Sequence, residues 1–171
     1  MDIVIRDAVP ADRRQLVRIF LACRQKDFSW LPDDAMCVAD FTRALEEERV
    51  FVAESGSGRQ GMQRIQGGEA GGGEIPGGEI LGFLTLWEPG RFIHFLFIHP
   101  QYQGNGIANR LVENLFAAYP LPYRLKCLDK NLRALEYYRR EGWQEVGRGT
   151  DNDGGHRVLE LDRRALKDAP M

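Results

Sequence analysis

The segment from Phe92 to Phe116 constrains the fold most, because an apolar strand, a glycine-rich turn and an amphipathic helix follow one another without a break. Phe92–Ile98 is rich in aromatic and β-branched residues, which predicts a strand buried on both faces. Apolar residues then recur at helical spacing from Ile107 to Leu115. A helix N-terminus carries unpaired N–H groups and a partial positive charge, and glycines let a phosphate approach the backbone. The segment therefore predicts an anion site at the turn.

The glycine spacing decides between kinds of phosphate site. A Walker loop requires a Lys followed by Ser or Thr, and the sequence contains neither pair. A dinucleotide fingerprint requires a third glycine, but the run that starts at Gly104 and Gly106 ends on Asn109. Two readings remain. The pattern Gln103-x-x-Gly106-x-Ala108 is either a pyrophosphate loop of another kind or a glycine-rich connection with no ligand.

Length and composition indicate a single globular domain over residues 1–171. The apolar share of 43% and the charged share of 28% are ordinary for a globular protein. A net charge of −2 argues against nucleic acid or an anionic membrane as the main partner. No apolar run approaches the roughly 18 residues of a membrane span. The first residues show neither a basic region nor a hydrophobic one, so we expect no secretory signal.

The cysteines point to a reducing compartment. Cys23, Cys37 and Cys127 are odd in number, widely separated and without a C-x-x-C pair. We therefore expect a cytoplasmic protein with no structural zinc or other metal site. Cys127 is either an acyl-enzyme nucleophile or a small buried hydrophobic residue.

Local patterns predict the order β–α–α–β–β–β–α–β–α–β–β. A first helix of about 12–14 residues begins near Pro10 or Asp12, and Asp33 or Asp34 caps the second. Asn131 caps the fourth helix, whose apolar face includes Leu132 and Tyr138. Besides the central strand, the predicted strands are Ile3–Arg6, Arg49–Glu54, Glu79–Trp87, Tyr123–Leu128, Trp143–Gly147 and Arg157–Leu161, with a turn at Thr150–Gly155.

Residues 55–78 form a glycine-rich insertion between two of these strands. Ten of the 19 glycines of the chain fall in these 24 residues. Such a segment cannot offset its backbone entropy by burial. We therefore predict a flexible insertion at the tip of a β-hairpin.

A second motif follows the strand at Tyr123–Leu128. Asn131, Ala134, Tyr138 and Gly142-Trp143 form the pattern N-x-x-A-x-x-x-Y-x-x-x-G-[FW]. Together with the Gln103 motif of the form [QR]-x-x-G-x-[GA], this pattern resembles the GNAT superfamily of N-acetyltransferases. The resemblance covers nearly the whole chain apart from the insertion.

The resemblance implies an α/β (α+β) fold with a mixed, mostly antiparallel twisted sheet of about seven strands. It implies helices on both faces and a central parallel pair of strands splayed around coenzyme A. The central strand is expected to bulge near Phe97 or Ile98, where a backbone N–H would polarise the acyl carbonyl. Acetyl-CoA is expected to contact Leu96, Phe97, Ile98, Gln103, Gly104, Asn105, Gly106, Ile107, Ala108, Asn109, Asn131 and Tyr137.

The resemblance also implies two catalytic groups. The Tyr138 hydroxyl is expected near the CoA sulfur, where a phenol with a pKa of about 10 can protonate the departing thiolate; otherwise Tyr138 is a core aromatic. His94 is the candidate base, because histidine titrates near pH 6.5 and a catalytic histidine has the equivalent spacing in aralkylamine N-acetyltransferases. Those enzymes carry a second histidine where this chain has Phe92. A structural role for His94, or an acidic residue acting through water, stays open.

Phe28 and Trp30 lie in an aromatic loop that either caps the core or forms a wall of an acceptor pocket, since such pockets are mostly apolar. The implied reaction is direct attack of a small-molecule primary amine on acetyl-CoA in a ternary complex, by a monomer or homodimer. Two alternatives remain. The acceptor is a protein N-terminus or lysine, or the chain is a non-catalytic acyl-CoA sensor.

Overall fold

A computed structural model describes residues 1–56 and 78–162 of the chain. In these ranges the strands are β1 (Ile3–Asp7), β2 (Arg49–Ser55), β3 (Ile80–Trp87), β4 (Phe92–Ile98), β5 (Tyr123–Leu128), β6 (Gln144–Asp151) and β7 (Gly154–Leu161). The α-helices are α1 (Arg13–Asp27), α2 (Val38–Glu47), α3 (Ile107–Leu115) and α4 (Leu132–Arg140). Short 3-10 turns precede α1 and follow β4. This order of strands and helices is the predicted one.

All seven described strands join one sheet in the order β1-β2-β3-β4-β5-β7-β6. Every neighbouring pair is antiparallel except β4 and β5, which are parallel. One hydrophobic cluster joins α1 and α2 to the sheet, with the rings of Phe20 and Phe41 stacked at 4.4 Å. A second cluster joins α3 to the sheet and includes Tyr138 of α4. The mixed sheet with helices on both faces is therefore confirmed.

The parallel pair β4–β5 is short, and the two strands diverge. Their described register consists of Phe92 with Arg124 and Ile93 with Leu125. Beyond these pairs, β4 continues along β3, while β5 continues along β7 as far as Leu128. A gap therefore opens between β4 and β5 after Ile93.

A β-bulge interrupts β4 at the start of this gap. Thr85 of β3 pairs with Phe95 and Leu86 pairs with Ile93, so His94 is the extra residue on β4. The Phe95 N–H donates to the Thr85 side-chain hydroxyl at 3.1 Å. The bulge expected near Phe97 or Ile98 is therefore at His94, because those two residues keep a regular ladder with β3.

Several sequence predictions of local structure are wrong. In β4 the buried residue is Ile93 alone, because the strand borders the gap. Helix α2 begins at Val38 with Cys37 at its N-cap, rather than after Asp33 or Asp34. The chain is held as a loop there because Ala35 is buried in a third hydrophobic cluster.

Two further differences concern the C-terminal part of the described chain. Leu132 is 72% exposed and lies outside the apolar face of α4. Strands β6 and β7 extend to Asp151 and from Gly154, so the turn is two residues long instead of spanning Thr150–Gly155. The N-cap of α4 is as predicted, since the Asn131 side chain accepts from the Ala134 N–H at 3.3 Å.

The predicted flexible insertion at 55–78 falls mostly on residues 57–77, which lie outside the described ranges. Its two flanks are described and meet. The Ser55 N–H donates to the Glu79 carbonyl at 2.9 Å, and the Gly78 N–H donates to the Glu54 carboxylate. The ends of β2 and β3 are therefore already side by side.

We predict that residues 57–77 are dispensable. Replacing them with Asn-Gly leaves a short loop between strand ends that already pair, and the shorter loop closes with about 1–2 kcal/mol less entropy loss. The melting temperature should stay the same or rise by a few degrees (about 3–6 °C), and coenzyme A affinity should not change. Calorimetric melting and binding titrations measure both. A fall of several degrees would mean that the segment packs on the domain.

Candidate active site

A cavity of about 620 Å³ occupies the gap between β4 and β5. The two diverging strands form its sides, the 103–109 loop closes one end, and α4 contributes Tyr137 and Tyr138. The strand divergence, the predicted anion loop and the second motif therefore border one space.

The loop before α3 contains two glycines with positive φ angles and leads into a helix N-terminus. Gly104 and Gly106 have φ angles of 82° and 73°, and a Cβ at either position would have no neighbour within 4 Å. Gly106 is the N-cap of α3, and its carbonyl accepts the helical hydrogen bond from the Arg110 N–H at 3.2 Å. The N–H groups of the first helical turn therefore lack helical acceptors and face open space.

Gln103 brings two cations to this loop. Its Oε1 accepts from Lys26 Nζ at 2.8 Å and from an Arg133 guanidinium nitrogen at 2.9 Å. Its Nε2 donates to the Ile98 carbonyl at 3.1 Å and to Asp27 at 3.3 Å. Among the described residues, neither Lys26 nor Arg133 forms an ion pair with an acid. The loop, the helix N-terminus and these two cations together fit a pyrophosphate group.

The backbone of β4 presents donors to the gap. The His99 N–H donates to the Leu81 carbonyl of β3 at 2.8 Å. Backbone groups alternate between the two edges of a strand, so Phe97 also bonds toward β3. The N–H groups of Leu96 and Ile98 point to the opposite edge, toward the gap. Of the two positions expected to polarise a carbonyl, Ile98 is therefore the one that can do so.

Tyr138 lies deep in the cavity wall. Burial raises the pKa of its phenol well above the usual value, and nearby Cys127 and Tyr137 raise it further. Tyr138 is therefore protonated at neutral pH. No described residue hydrogen-bonds to its hydroxyl. The Tyr137 hydroxyl instead donates to Asn109, so it ties α4 to the start of α3.

His94, the bulge residue of β4, also borders the cavity. Its Nδ1 lies 2.5 Å from Oε1 of Glu48. The Glu48 side chain is only 7% exposed, whereas that of His94 is 45% exposed. The bulge thus presents an imidazole to the cavity with a buried carboxylate behind it.

An apolar cluster covers the side of the gap that faces α1. Phe28, Leu31 and Ala35 of the α1–α2 connection pack on Leu128 of β5 and on Phe97 of β4. The rings of Phe28 and Phe97 are 5.8 Å apart. The connection therefore bridges the two diverging strands.

The cysteines at the cavity are ordinary buried thiols. Burial raises the pKa of Cys127 and that of Cys23 to about 12. A thiol that stays protonated at neutral pH is a poor nucleophile. Cys127 therefore behaves as a small hydrophobic residue. The described residues contain no group of three or more His, Cys, Asp or Glu side chains suited to a metal ion.

The cavity brings together most of the predicted site residues. The ones that border it are Phe28, His94, Leu96, Phe97, Ile98, Gln103, Gly104, Gly106, Ile107, Ala108, Asn109, Asn131, Tyr137 and Tyr138. Asn105 and Trp30 do not border it. The Asn105 side chain donates to the Tyr102 carbonyl at 2.9 Å, and Trp30 packs on the outer side of Phe28.

Sequence reasoning missed Glu48, Lys26 and Arg133. Glu48 and Lys26 reach the site through contacts between distant parts of the chain, so no local pattern marks them. Arg133 had a usable signal, since it lies inside the second motif, two residues after Asn131.

The family assignment comes from the sequence itself. Residues 46–145, more than half of the chain, match the family model described as an acetyltransferase (GNAT) domain. The chain belongs to the GNAT acetyltransferase family. No curated protein sequence matches it significantly. The family as a whole supports acetyl transfer from an acyl-CoA donor.

Solved structures agree on the GNAT fold. The apo form of YjaB from Escherichia coli superposes with a TM-score of 0.69 at 22% identity, over 94% of this chain and 97% of that one. A GCN5-related N-acetyltransferase from Rhodopseudomonas palustris gives 0.66 at 17% identity, over 95% and 96%. A chain of the NatC complex bound to Gag peptide and CoA gives 0.58 at 19% identity, over 94% and 98%. In the GNAT chain described here, no helix of the described ranges is long and apolar enough to cross a bilayer.

We predict that Gly106→Asp abolishes tight coenzyme A binding. The new carboxylate would stand at the helix N-terminus, where the pyrophosphate is expected, and replace attraction by repulsion. The dissociation constant should rise at least about 30-fold, equivalent to about 2 kcal/mol. Titration calorimetry measures this change.

Gly106→Asn is the matched control, because it imposes the same positive φ on a side chain of the same shape without the charge. The difference between Asp and Asn isolates the electrostatic effect. Equal, unchanged affinity in both variants, with the fold intact by circular dichroism, would remove the phosphate site from this loop.

Proposed function

We propose that this chain is an acetyl-CoA-dependent N-acetyltransferase that acetylates a primary amine of a small molecule by direct attack in a ternary complex. The observation that carries the proposal is one cavity bordered by the anion loop, the inward N–H groups of β4, Tyr138 and His94. A cytoplasmic location stays a prediction from the three unpaired cysteines.

The loop and the gap fit coenzyme A in different ways. The first turn of α3 with Gly104, Gly106 and the cations Lys26 and Arg133 would hold the pyrophosphate. The unpaired edge of β4 would hydrogen-bond to the amides of the pantetheine arm, as a missing strand would. When bound, acetyl-CoA supplies the acetyl group as a reactive thioester. The Leu96 and Ile98 N–H groups can donate to its carbonyl oxygen, which favours attack by an amine.

Tyr138 has the properties of the acid that protonates the departing sulfur. Burial keeps the phenol protonated, and its hydroxyl has no competing hydrogen bond among the described residues. The same apolar surroundings solvate a thiolate poorly and make it a stronger base. Proton transfer from the Tyr138 hydroxyl to sulfur is thereby favoured at the moment the bond breaks.

His94 is our candidate for the base that takes the proton from the amine. A neutral imidazole accepts a proton readily near physiological pH. His94 is a bulge residue of β4, so a strand rather than a loop holds its side chain at the cavity. Transfer from the ammonium to the imidazole leaves a neutral amine able to attack.

The choice of a small acceptor is supported by the α1–α2 connection. Phe28 and Leu31 of that connection pack on Leu128 and close one side of the gap. With one side closed, the gap forms a pocket rather than an open groove. The aromatic surface of this pocket would suit an apolar or aromatic amine.

The direct test is transfer itself, with free CoA as the readout. We expect release of CoA from acetyl-CoA with arylalkyl amines or other small primary amines, and little with peptides. Activity only on peptide N-termini or on lysine would establish the protein-acetylation alternative. Binding of acetyl-CoA without transfer to any amine would favour the sensor.

We predict that Tyr138→Phe lowers kcat by about 10²–10⁴-fold, the usual worth of general acid catalysis. The ring remains, so packing and coenzyme A affinity should hardly change. Steady-state kinetics should therefore place the loss in kcat rather than in KM.

Tyr137→Phe and Tyr119→Phe are the matched controls. The Tyr137 hydroxyl bonds to Asn109, so its loss should act on KM for acetyl-CoA. The Tyr119 hydroxyl bonds to Glu88 outside the cavity at 2.7 Å, and its loss should leave kinetics unchanged. Full turnover in Tyr138→Phe would show that the thiolate leaves unaided or that another group donates.

A further inference from the structure

We propose that Glu48 is a positioning residue that fixes the tautomer and the orientation of His94. This inference rests on the proposed function, because it gives His94 a partner for its work as the base. Nothing in the motifs points to Glu48, which precedes His94 by 46 residues.

The contact between the two side chains is close, and it involves only one of the two carboxylate oxygens of Glu48. Oε1 of Glu48 lies 2.5 Å from His94 Nδ1. Oε2 of Glu48 is buried and has no hydrogen-bond partner among the described residues. A buried carboxylate oxygen without a hydrogen-bond partner costs free energy. Stability therefore does not account for Glu48 at this position, and its contact with His94 supplies a reason for it.

The backbone holds both residues rigidly. Glu48 is the C-cap of α2, with its N–H bonded to the Ala44 carbonyl at 3.0 Å, and β2 begins at the next residue. His94 is fixed by the bulge between the Thr85–Phe95 and Leu86–Ile93 pairs. Because neither side chain extends from a free loop, their relative position is set by the sheet and α2.

Several charged groups near the pair have ion-pair partners of their own. A second cavity of about 420 Å³ is bordered by Glu48 and by charged residues of β1, α1, α2 and β2. In that cavity Arg49 pairs with Asp7 at 2.5 Å, and Arg13 pairs with Glu46 at 3.3 Å.

On the side of the main cavity, Lys126 of β5 pairs with Asp151 at 2.7 Å and with Asp153 at 3.5 Å. Within the described residues, His94 is therefore the one ion-pair partner of Glu48.

The chemical consequence follows from the two imidazole nitrogens. In the neutral tautomer with hydrogen on Nδ1, the Nδ1–H group donates a hydrogen bond to Glu48, and Nε2 carries the free lone pair. Nε2 then accepts a proton from the substrate ammonium, which becomes the neutral amine. The imidazolium formed has its positive charge beside the Glu48 side chain. The proton later leaves from Nε2 to solvent.

Two variants of Glu48 test this role. Glu48→Gln removes the charge and keeps the volume, and Glu48→Met also removes the acceptor. Both variants should lower kcat/KM by about 10–100-fold, because His94 loses the partner that orients it. Nitrogen-15 spectra should show His94 with Nδ1–H in the wild type and a mixture of tautomers in Glu48→Met. His99 and His156 serve as internal references.

Glu46→Gln is the matched control, since it removes the same charge two residues away without touching His94. It should leave both kcat/KM and the spectra unchanged. In a His94→Asn background, the Glu48 variants should cause no further loss. An equal loss in that background, or an unchanged His94 tautomer in Glu48→Met, overturns the role of Glu48. These spectra need no turnover, so inactivity of the wild type toward every amine would overturn the proposed function separately.

Discussion

The early end of the parallel pairing between β4 and β5 is the constraint on which the rest of the structure depends. Each strand is held by its other neighbour, β4 by β3 and β5 by β7, and these ladders continue after the two strands have separated. The gap is therefore maintained by hydrogen bonds outside it. After these pairs, one edge of each strand has no neighbouring strand within the described residues. Backbone groups on such an edge are costly unless a side chain, water or a ligand satisfies them; the Ile98 carbonyl accepts from Gln103. The backbone groups along the gap are therefore available to bind a ligand.

The bulge at His94 is the second consequence of this arrangement. A bulge breaks the strict alternation of side chains, so one residue can be aimed where a regular strand would not aim it. Here it comes directly after Ile93, the last residue of β4 that pairs with β5. The imidazole consequently meets the end of α2, where Glu48 is buried. A regular β4 would place the following residues on the opposite faces and would disrupt the Phe95 and Phe97 packing around Phe20.

Local sequence patterns predicted the parts of this structure that depend on neighbours along the chain. The two motifs predicted the loop at Gly106 and the cap at Asn131, because glycine conformation and helix capping are set within a few residues. Periodicity predicted every strand that the structure describes. The same reasoning failed for the start of α2, since the helix-start signal at Asp33 and Asp34 was overridden by burial of Ala35 in a tertiary cluster.

The sequence predicted those site residues that belong to a local motif, but not the residues that contact them from distant parts of the chain. Gln103 was found by its motif, but Lys26, which bonds to it, is 77 residues away. The pairing of Glu48 with His94 likewise depends on how α2, β2 and β4 are placed against each other. Such contacts leave no periodic or compositional trace in one sequence. The contacts of Gln103 with Lys26 and of His94 with Glu48 could therefore be found only in the structure, whereas most of the cavity wall was predictable from the sequence.

The two candidate proton-transfer groups lie in different parts of the protein, and the gap is what connects them. Tyr138 belongs to the hydrophobic cluster shared with α3, whereas His94 contacts the end of α2 on the other side of the sheet. Both border one cavity but have different surroundings. Burial keeps the phenol of Tyr138 protonated by raising its pKa, whereas the His94 side chain is 45% exposed and lies beside Glu48. A reacting bond can meet both only inside the gap, so the divergence of β4 and β5 also determines where chemistry can occur.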